Sequence, residues 1–347
     1  MNHPSPIQSA HTADRDRGGR SEPIELAVVN NMPDPALQST ERQFRELIAA
    51  AADGRNLRVH LFSFPELIRG ADGRAYVAEH YESIEQLWAG RFDGLVVTGA
   101  EPRTDVLSDE VYWNSLTRLI GWASDHTTST IWSCLAAHAA VLHLDGIERR
   151  RYASKLHGVF ACKRAADHPL FAGLGPAWRF PHSRLNTLPS DRLAAAGYKI
   201  VSASNETDAD AFVKDQGSLF LFLQGHPEYD PGALYREYRR DVGRFLAGTV
   251  ERYPAIPRGY LDPEMTRVLE EFRSRAEPSR RPEQLDGFPT LDTERHIAHH
   301  WRAAAVRLYS NWLDYLAAHR ASRRLTASRI ATPPLPARSS SGIRPPQ

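Results

Sequence analysis

Short apolar runs of strand length alternate with segments of helical spacing over residues 24–144. The runs are rich in Val, Ile and Leu, and the run at 94–98 contains no charged residue. Strands that alternate with helices pair in parallel, because each crossover helix returns the chain to the same end of the sheet. Continuously apolar strands also need cover on both faces. The pattern therefore predicts an α/β fold with a mostly parallel sheet and helices on both faces.

The predicted elements follow from the spacing of the apolar residues. The predicted strands of the first half are 24–29, 56–62, 94–98 and 130–133, and the predicted helices are 38–52, 83–89, 109–125 and 135–144. Residues 150–220 contain β-like runs at 158–162, 199–204 and 210–214, which indicate additional antiparallel strands. The run 219–223 returns to the core, and helices are predicted at 234–245 and 293–319.

Both ends of the chain differ in composition from this core. Residues 1–22 are polar without an apolar period, and residues 321–347 are rich in Ser, Arg and Pro, so both are predicted to be disordered tails. Residues 23–320 form one predicted domain. Within it, the Pro-, Arg- and Glu-rich residues 250–292 are predicted to be a surface excursion with one helix near 264–275.

The overall charge and the cysteine content exclude several classes of protein. Lys plus Arg is 43 and Asp plus Glu is 42, so a net charge of +1 gives no electrostatic reason to expect a nucleic-acid partner. No apolar run approaches the roughly 20 residues of a membrane span. Cys134 and Cys162 are not in a CxxC spacing, so no metal site is predicted, and a disulfide between them is not expected because it would consume a thiol that is predicted to be exposed. We expect a cytoplasmic protein.

Cys134 lies between the predicted strand 130–133 and the small residues Ala136 and Ala137. This order is typical of a sharp strand-to-helix turn that exposes the side chain at its apex. A thiol there is close to a helix N-terminus, which favours the thiolate and offers N–H groups to an oxyanion. The alternative is a buried structural cysteine, and Cys134 alone does not decide between them.

A second segment of chemical interest follows the predicted strand 219–223. His226-Pro227-Glu228 places an imidazole just past a strand end, with a carboxylate two residues on. In an open α/β sheet, ligands bind at the carboxyl ends of the strands. The Glu228 carboxylate can fix the tautomer of His226, and a thiol, an imidazole and a carboxylate together are the parts of a nucleophilic acyl-transfer site. A capping His in a loop is the alternative.

The remaining candidates are weaker on composition alone. Gly99 and Ala100 follow the run 94–98, where a glycine permits close approach of a ligand to the backbone, and they are predicted to share an oxyanion site with the Leu135 N–H. Residues 180–184 are a surface turn by composition. Lys155 resembles a solvated lysine, and either Arg239 or Arg240 can turn inward to bind a carboxylate. No Walker sequence or GxGxxG is present.

Several segments, in this order, resemble the homoserine O-acyltransferases of methionine biosynthesis, the homoserine O-succinyltransferase family. The resemblance extends from about Val28 to Tyr315. The matching pieces are Asn31-Met32-Pro33, residues 40–44, 93–100, Tyr112-Trp113, the Cys134 turn, residues 155–160, 181–184 and 225–230, Tyr238, Arg240, Asp241 and residues 311–315. That family has the class I glutamine-amidotransferase-like (flavodoxin-like) fold, which the resemblance implies for this chain.

The resemblance also implies roles for individual residues. Cys134 matches the thioester-forming nucleophile, His226 the general base and Glu228 the acid that orients it. The matches to the family's substrate-contacting residues are Lys155, Ser183 and, for the carboxylate of the amino acid, Arg240. The implied substrates are succinyl-CoA, as a co-substrate, and L-homoserine. No permanently bound cofactor or metal is implied, and a homodimer is possible.

Two departures affect the expected substrates. The family's lysine shortly after Met-Pro is missing, since residues 34–37 read Asp-Pro-Ala-Leu. At the position where Gly is associated with succinyl-CoA and Glu with acetyl-CoA, this chain has Arg103. A cationic side chain can pair with the distal carboxylate of succinate, which favours succinyl-CoA as the donor.

Other activities stay open at this point. Acetyl-CoA is the alternative donor. A second alternative activity is the hydrolysis of glutamine, as in related Cys enzymes. Trp132 and Ala136 argue against it, because such enzymes usually have glycine at these two positions. A non-catalytic protein that binds an amino acid is the third.

Overall fold

Five strands rich in Val, Leu, Ile and Phe pair in parallel at the centre of the structure. A computed structural model describes residues 22–297 and 301–331, with side chains through residue 320. The strands in chain order are β1 (Ile24–Val29), β2 (Leu57–Phe62), β3 (Gly94–Val97), β4 (Ser129–Ser133), β5 (Arg150–Arg164), β6 (Ala177–Thr187), β7 (Lys199–Ser204), β8 (Asp208–Asp215) and β9 (Leu219–Leu223). The helices are α1 (Asp34–Ala51), α2 (Ala71–His80), α3 (Ile84–Ala89), α4 (Trp113–His126), α5 (Leu135–Asp145), α6 (Ser190–Ala195), α7 (Ala233–Leu246), α8 (Pro263–Ser279), α9 (Thr293–His296) and α10 (Arg302–Ala331).

These strands form one sheet of nine in the order β2-β1-β3-β4-β9-β8-β7-β5-β6. The first five are parallel, and the remaining four add to β9 in antiparallel fashion. The parallel part has the 2-1-3-4-5 strand order of flavodoxin-like doubly wound sheets. The predicted α/β class, with a mostly parallel sheet and additional antiparallel strands, is confirmed.

Helices cover both faces of the parallel strands, as the continuous apolar runs require. Alternate residues of β1 show the division: Leu26 and Val28 belong to one buried cluster with α1, α7, α8 and α10, and Ala27 and Val29 belong to another with α4 and α5. Helix α10 packs very close to the sheet at Gly94. A β-carbon there would lie 2.7 Å from the ring of Trp312, so this position accepts only glycine without a shift of α10.

The carboxyl ends of three parallel strands meet at one edge of the sheet. Strand β3 leads to Gly99, β4 leads to Cys134, and β9 leads to His226. Strands β4 and β9 are neighbours, with Ser133 opposite Leu223. The Cys134 N–H extends this pairing, since it donates to the Leu223 carbonyl at 2.7 Å. The topology therefore brings the predicted nucleophile and the predicted base to adjacent positions.

The segment 180–184 is not the surface turn that its composition suggests. It lies inside β6, where Phe180 and His182 are fully buried. The misleading signal is Pro181, since proline is usually a turn residue. Strand β6 is the last strand of the sheet, and an edge strand tolerates the missing N–H of proline.

Other differences concern helices. Helix α2 was not predicted, because its Gly73 and its weak apolar periodicity give no helical signal. The predicted closing helix 293–319 is two helices, α9 and α10, and α10 continues to Ala331, into the predicted C-terminal tail. The predicted tail residues 1–21 and 332–347 lie outside the described residues. Among the helices that are described, none has the length and apolarity needed to cross a bilayer.

The segment 250–292, which was predicted to be a surface excursion, also bonds to the sheet. The backbone of Arg258 bonds to the His157 carbonyl at 3.0 Å and to the Val159 N–H at 2.8 Å. Between them Gly158 has φ of 145°, and a β-carbon there would lie 2.2 Å from the Arg258 carbonyl oxygen. Helix α8 buries Leu269 and Phe272 in the same cluster as α7. The segment thus holds α7 beside β5.

Candidate active site

Cys134 occupies the junction between β4 and α5. Its φ of 49° and ψ of −109° lie in a region that non-glycine residues rarely adopt. Such a conformation persists only where the surrounding structure enforces it, and here β4 and α5 fix the backbone on both sides. Ala136 and Ala137 are buried against the sheet, so α5 can start immediately after the turn. The thiol is left partly exposed at the apex.

His226 follows β9 and lies close enough to Cys134 for the two side chains to interact electrostatically. Its Nδ1 lies 2.7 Å from Glu228 Oε1, which leaves Nε2 for the thiol. Burial opposes the charged imidazolium, but Cys134 and Glu228 outweigh it and hold the pKa of His226 well above its usual value. The structure therefore brings Cys134, His226 and Glu228 together as a thiol, an imidazole and an orienting carboxylate.

The predicted oxyanion residues lie beside the thiol. A β-carbon on Gly99 would lie 2.7 Å from the Leu135 β-carbon and 3.1 Å from the Leu135 nitrogen, so the loop after β3 touches the start of α5. The first N–H groups of a helix have no intrahelical acceptor. A small cleft opens here, and its walls include Gly99, Ala100, Leu135 and Ala136. These groups can hold a negatively charged oxygen next to Cys134.

Lys155, Ser183 and Arg240 meet in a second polar group on the other side of His226. Lys155 Nζ lies 2.6 Å from Asp241 Oδ2, and Ser183 donates to Glu237. Arg240 donates through Nε and Nη2 to Asp241 Oδ1, at 3.1 and 3.0 Å. Strands β5 and β6 carry the lysine and the serine, whereas α7 carries the arginine and both carboxylates.

Glu237 and Asp241 were not predicted as site residues. Lys155 holds the pKa of each carboxyl below its usual value, against the effect of burial. Their spacing of one helical turn places both on the same face of α7, and this is the one sequence signal that would have indicated them.

Tyr229 was also missed, although it connects the two groups. Its ring stacks on His226, and its hydroxyl donates to Glu237 Oε1 at 2.5 Å. The Tyr229 carbonyl in turn accepts from the indole of Trp301 at 2.9 Å. The local sequence around Tyr229 does not indicate such a contact, because the contact depends on how α7 and α10 pack.

Arg103 lies on the surface loop that follows β3. It is exposed and lines a surface cleft together with Arg69 and Val111. That cleft shares three wall residues, Asn31, Ala100 and Tyr112, with the cleft beside Leu135. The Arg103 N–H donates at 2.6 Å to Glu110, a buried carboxylate that also accepts from Thr104. The loop is thus fixed while the arginine side chain faces the approach to the site.

Several known proteins are similar to this chain over most of its length. The family model for homoserine O-succinyltransferase matches residues 7–323. The chain is 44% identical to the homoserine O-succinyltransferase of Rhodopseudomonas palustris, over 88% of this chain and 92% of that protein. The corresponding values are 46%, 87% and 93% for Bradyrhizobium japonicum, and 42%, 90% and 96% for Methylorubrum extorquens.

Among solved structures, a glutamine amidotransferase from Thermotoga maritima aligns with 85% of this chain and 99% of its own, at 14% identity and a TM-score of 0.46. The family match covers most of the chain, and the sequence relatives are similar over nearly their whole length. The chain therefore belongs to the homoserine O-succinyltransferase family.

Proposed function

We propose that this chain transfers a succinyl group from succinyl-CoA to the hydroxyl of L-homoserine, through a thioester on Cys134. The observation that carries the proposal is a set of three interacting groups: Cys134 on a strained strand-to-helix turn, His226 near enough to interact with it, and Glu228 hydrogen-bonded to His226. The same elements serve nucleophilic catalysis wherever a base lies within reach of the nucleophile and a third group orients the base.

In the first half-reaction the Cys134 thiolate, whose proton already resides on His226, attacks the thioester carbonyl of succinyl-CoA. A carbon–sulfur bond forms to Cys134, and the bond to the CoA sulfur breaks. The leaving thiolate takes the proton from the His226 imidazolium, so CoA departs as a thiol. The Leu135 N–H and the Gly99–Ala100 backbone are suited to hold the oxyanion.

In the second half-reaction His226 accepts the proton of the homoserine hydroxyl as the oxygen attacks the acyl-enzyme. The tetrahedral intermediate collapses, the bond to Cys134 breaks, and the Cys134 thiolate is restored beside the His226 imidazolium, which keeps the proton of the homoserine hydroxyl. Glu228 stabilises the imidazolium in both halves and fixes Nε2 toward the reacting atoms. A base in this position contributes about a hundred- to ten-thousand-fold in rate.

The polar group around α7 is the proposed acceptor subsite. Arg240 is partly exposed and carries its charge beside Lys155, so together they suit the carboxylate of an amino acid. The Ser183 hydroxyl lies in the same group. Tyr229 separates this subsite from the base by one aromatic ring.

Arg103 is the proposed selector of the donor. It lines the cleft that adjoins the Gly99–Ala100 loop, so an acyl group held there can extend its distal carboxylate toward the guanidinium. Acetyl has no carboxylate to offer. The proposed partners are free small molecules, and the proposed compartment is the cytoplasm. The proposed assembly is a homodimer. Light scattering on the purified protein tests the homodimer.

Initial-rate kinetics test the proposed activity. We expect O-succinylhomoserine and CoA in equal amounts, and parallel double-reciprocal plots when both substrates are varied, because CoA leaves before homoserine reacts. Intersecting plots would contradict the thioester route. Ammonia released from glutamine would favour the hydrolase instead, and homoserine binding without turnover would favour a binding protein.

A further inference from the structure

A network of buried polar contacts joins helix α5, which begins at the nucleophile, to the loop that carries the base. Its members are His138, Gln224, Arg184, His182 and Asp210, and none is more than 5% exposed. None of them belongs to the oxyanion, acceptor or donor groups described above. Polar groups buried together interact strongly because the local dielectric is low, so their contacts favour one arrangement of the chain segments that carry them.

Gln224 joins the end of β9 to α5. Its Oε1 accepts from Arg184 Nη1 at 3.0 Å, from the Leu188 N–H at 3.2 Å and from His138 Nε2 at 2.9 Å. A guanidinium and a backbone N–H can only donate, so the atom that faces them is the oxygen, and His138 must carry its proton on Nε2. The His138 N–H bonds in turn to the Cys134 carbonyl at 3.3 Å.

Arg184 fixes the tautomer of a second histidine. Its Nε donates to His182 Nδ1 at 3.3 Å, so the neutral ring carries its proton on Nε2, which lies 3.1 Å from Asp210 Oδ1. Burial lowers the pKa of His182 to about 4, which keeps it neutral. Ser202 donates to the other Asp210 oxygen at 2.7 Å.

This tautomer argues against a metal ion at the same place. Cys162, His182 and Asp210 have ligating atoms within 4.8 Å of one another. A metal needs a free lone pair on the imidazole nitrogen that faces it, and His182 presents a proton there instead. The cluster is therefore a hydrogen-bonded support.

The base loop rests directly on this support. The Gln224 N–H donates to the Asp210 carbonyl, and the His226 N–H donates to the Pro181 carbonyl, each at 2.8 Å. Between them Gly225 lies so close that a β-carbon would be 3.0 Å from His182 Nε2 and 3.1 Å from Asp210 Oδ1. The backbone on both sides of Gly225 is thus tied to the strands that hold the network.

We propose that His138, Gln224, Arg184, His182 and Asp210 are positioning residues that set the separation of Cys134 from His226. The network is continuous from the first turn after the nucleophile to the residue before the base. The inference rests on the proposed function, in which these two side chains exchange a proton. A thiolate paired with an imidazolium reacts quickly with alkylating agents, so the separation has a readout that needs no substrate.

The test compares rates of iodoacetamide alkylation at Cys134 over a range of pH, followed by mass analysis of the peptide. Burial raises the pKa of the Cys162 thiol, so that residue stays unreactive in the folded protein. We expect the Gln224→Met variant to alkylate at Cys134 at least about tenfold more slowly near neutral pH, since small misplacements of reacting groups are costly. His138→Gln keeps a donor toward Gln224 and should react like the wild type, whereas His138→Leu should resemble Gln224→Met.

Thr127→Val is the control for general loosening. It removes buried hydrogen bonds to Ala123 and Ser218 beside the amino end of β4, away from Cys134. It should lower the melting temperature without changing alkylation. An unchanged rate and pH profile in folded His138→Leu or Gln224→Met would overturn the inference, and so would an equal loss in Thr127→Val. A wild-type Cys134 no faster than free cysteine would instead contradict the proposed function itself.

Discussion

The phenol ring of Tyr229 lies against the imidazole of His226, with ring centroids 4.3 Å apart and planes 20° apart. The far end of the same phenol donates to Glu237. One aromatic side chain thus touches the base on its face and the proposed acceptor subsite through its hydroxyl. A mutation of the Tyr229 hydroxyl is therefore expected to affect the half-reaction with homoserine more than the half-reaction with succinyl-CoA.

Tyr229→Phe should impair the second half-reaction more than the first. The stack on His226 survives, but Glu237 loses a hydrogen bond, and bonds to charged groups contribute about 1.5–3 kcal/mol. We expect KM for homoserine to rise about tenfold, while the burst of CoA release that accompanies acylation keeps its rate. Tyr198→Phe is the matched control, since it removes a phenol–carboxylate bond of 2.6 Å to Asp145 outside the proposed site. An equal effect of both variants on KM would contradict the placement of the subsite.

Gly225→Ala should lower kcat while the protein stays folded. The added methyl would lie 3.0 Å from His182 Nε2 and 3.1 Å from Asp210 Oδ1, both buried and held, so the loop must move and carry His226 with it. A displacement of about 1 Å is worth up to about a hundredfold in rate. Gly121→Ala on α4 is the control, because no atom lies within 4 Å of its β-carbon. Gly121→Ala should leave kcat unchanged and raise the free energy of unfolding by about 0.5–1 kcal/mol.

The raised pKa of His226 predicts how stability depends on pH. Burial lowers the pKa of His226, but the effects of Cys134 and Glu228 together are larger and raise it. Tyr229 and His182 also face the ring, and both are neutral. A group whose pKa is higher in the folded state stabilises fully below its unfolded value, about 6.5 for His, and loses that effect as pH rises through the folded value. The difference in unfolding free energy between wild type and His226→Gln should therefore shrink above about pH 6.5.

Urea unfolding at a series of pH values measures this difference. Glu228→Gln removes one of the two groups that raise the folded-state pKa, so the loss should begin at the same pH but be complete at a lower pH in that variant. A difference that grows with pH would mean that His226 is held neutral in the folded protein.

Arg103→Glu should change the preference for donors. It reverses the charge that faces the donor cleft, and the lost charge-assisted contact is worth about 1.5–3 kcal/mol. We expect kcat/KM for succinyl-CoA to fall at least about tenfold, with the value for acetyl-CoA unchanged. Arg239→Glu, an exposed charge reversal on α7, controls for the change in net charge. Equal losses with both donors, or a wild type that prefers acetyl-CoA, would refute the role of Arg103.

The sequence predicted the parallel half of the fold well, because each strand there is a continuous apolar run bounded by a helix of regular spacing. Strands β1, β3, β4 and β9 begin and end within about a residue of their predicted limits. The antiparallel half was harder. Strand β6 has a proline and two arginines, and its burial comes from β5 and from the network beneath Gly225, which no local pattern reveals.

The same distinction holds for the site. The strand ends carrying Cys134 and His226 were predictable, since carboxyl ends of parallel strands share an edge. Tyr229, Glu237 and Asp241 depend on the packing of α7 against β5, which the segment 250–292 helps to fix through Arg258. The His138–Asp210 network was invisible because each member alone is an ordinary polar residue in a strand or helix.

Mass analysis of the Cys134 peptide after mixing the protein with succinyl-CoA alone is the most direct test of the thioester route. We predict one added succinyl group on that peptide, its persistence until homoserine is added, and its complete loss afterwards, with no such adduct in Cys134→Ala. Succinyl found on another residue, or a Cys134→Ala variant that still makes O-succinylhomoserine at the wild-type rate, would contradict the account.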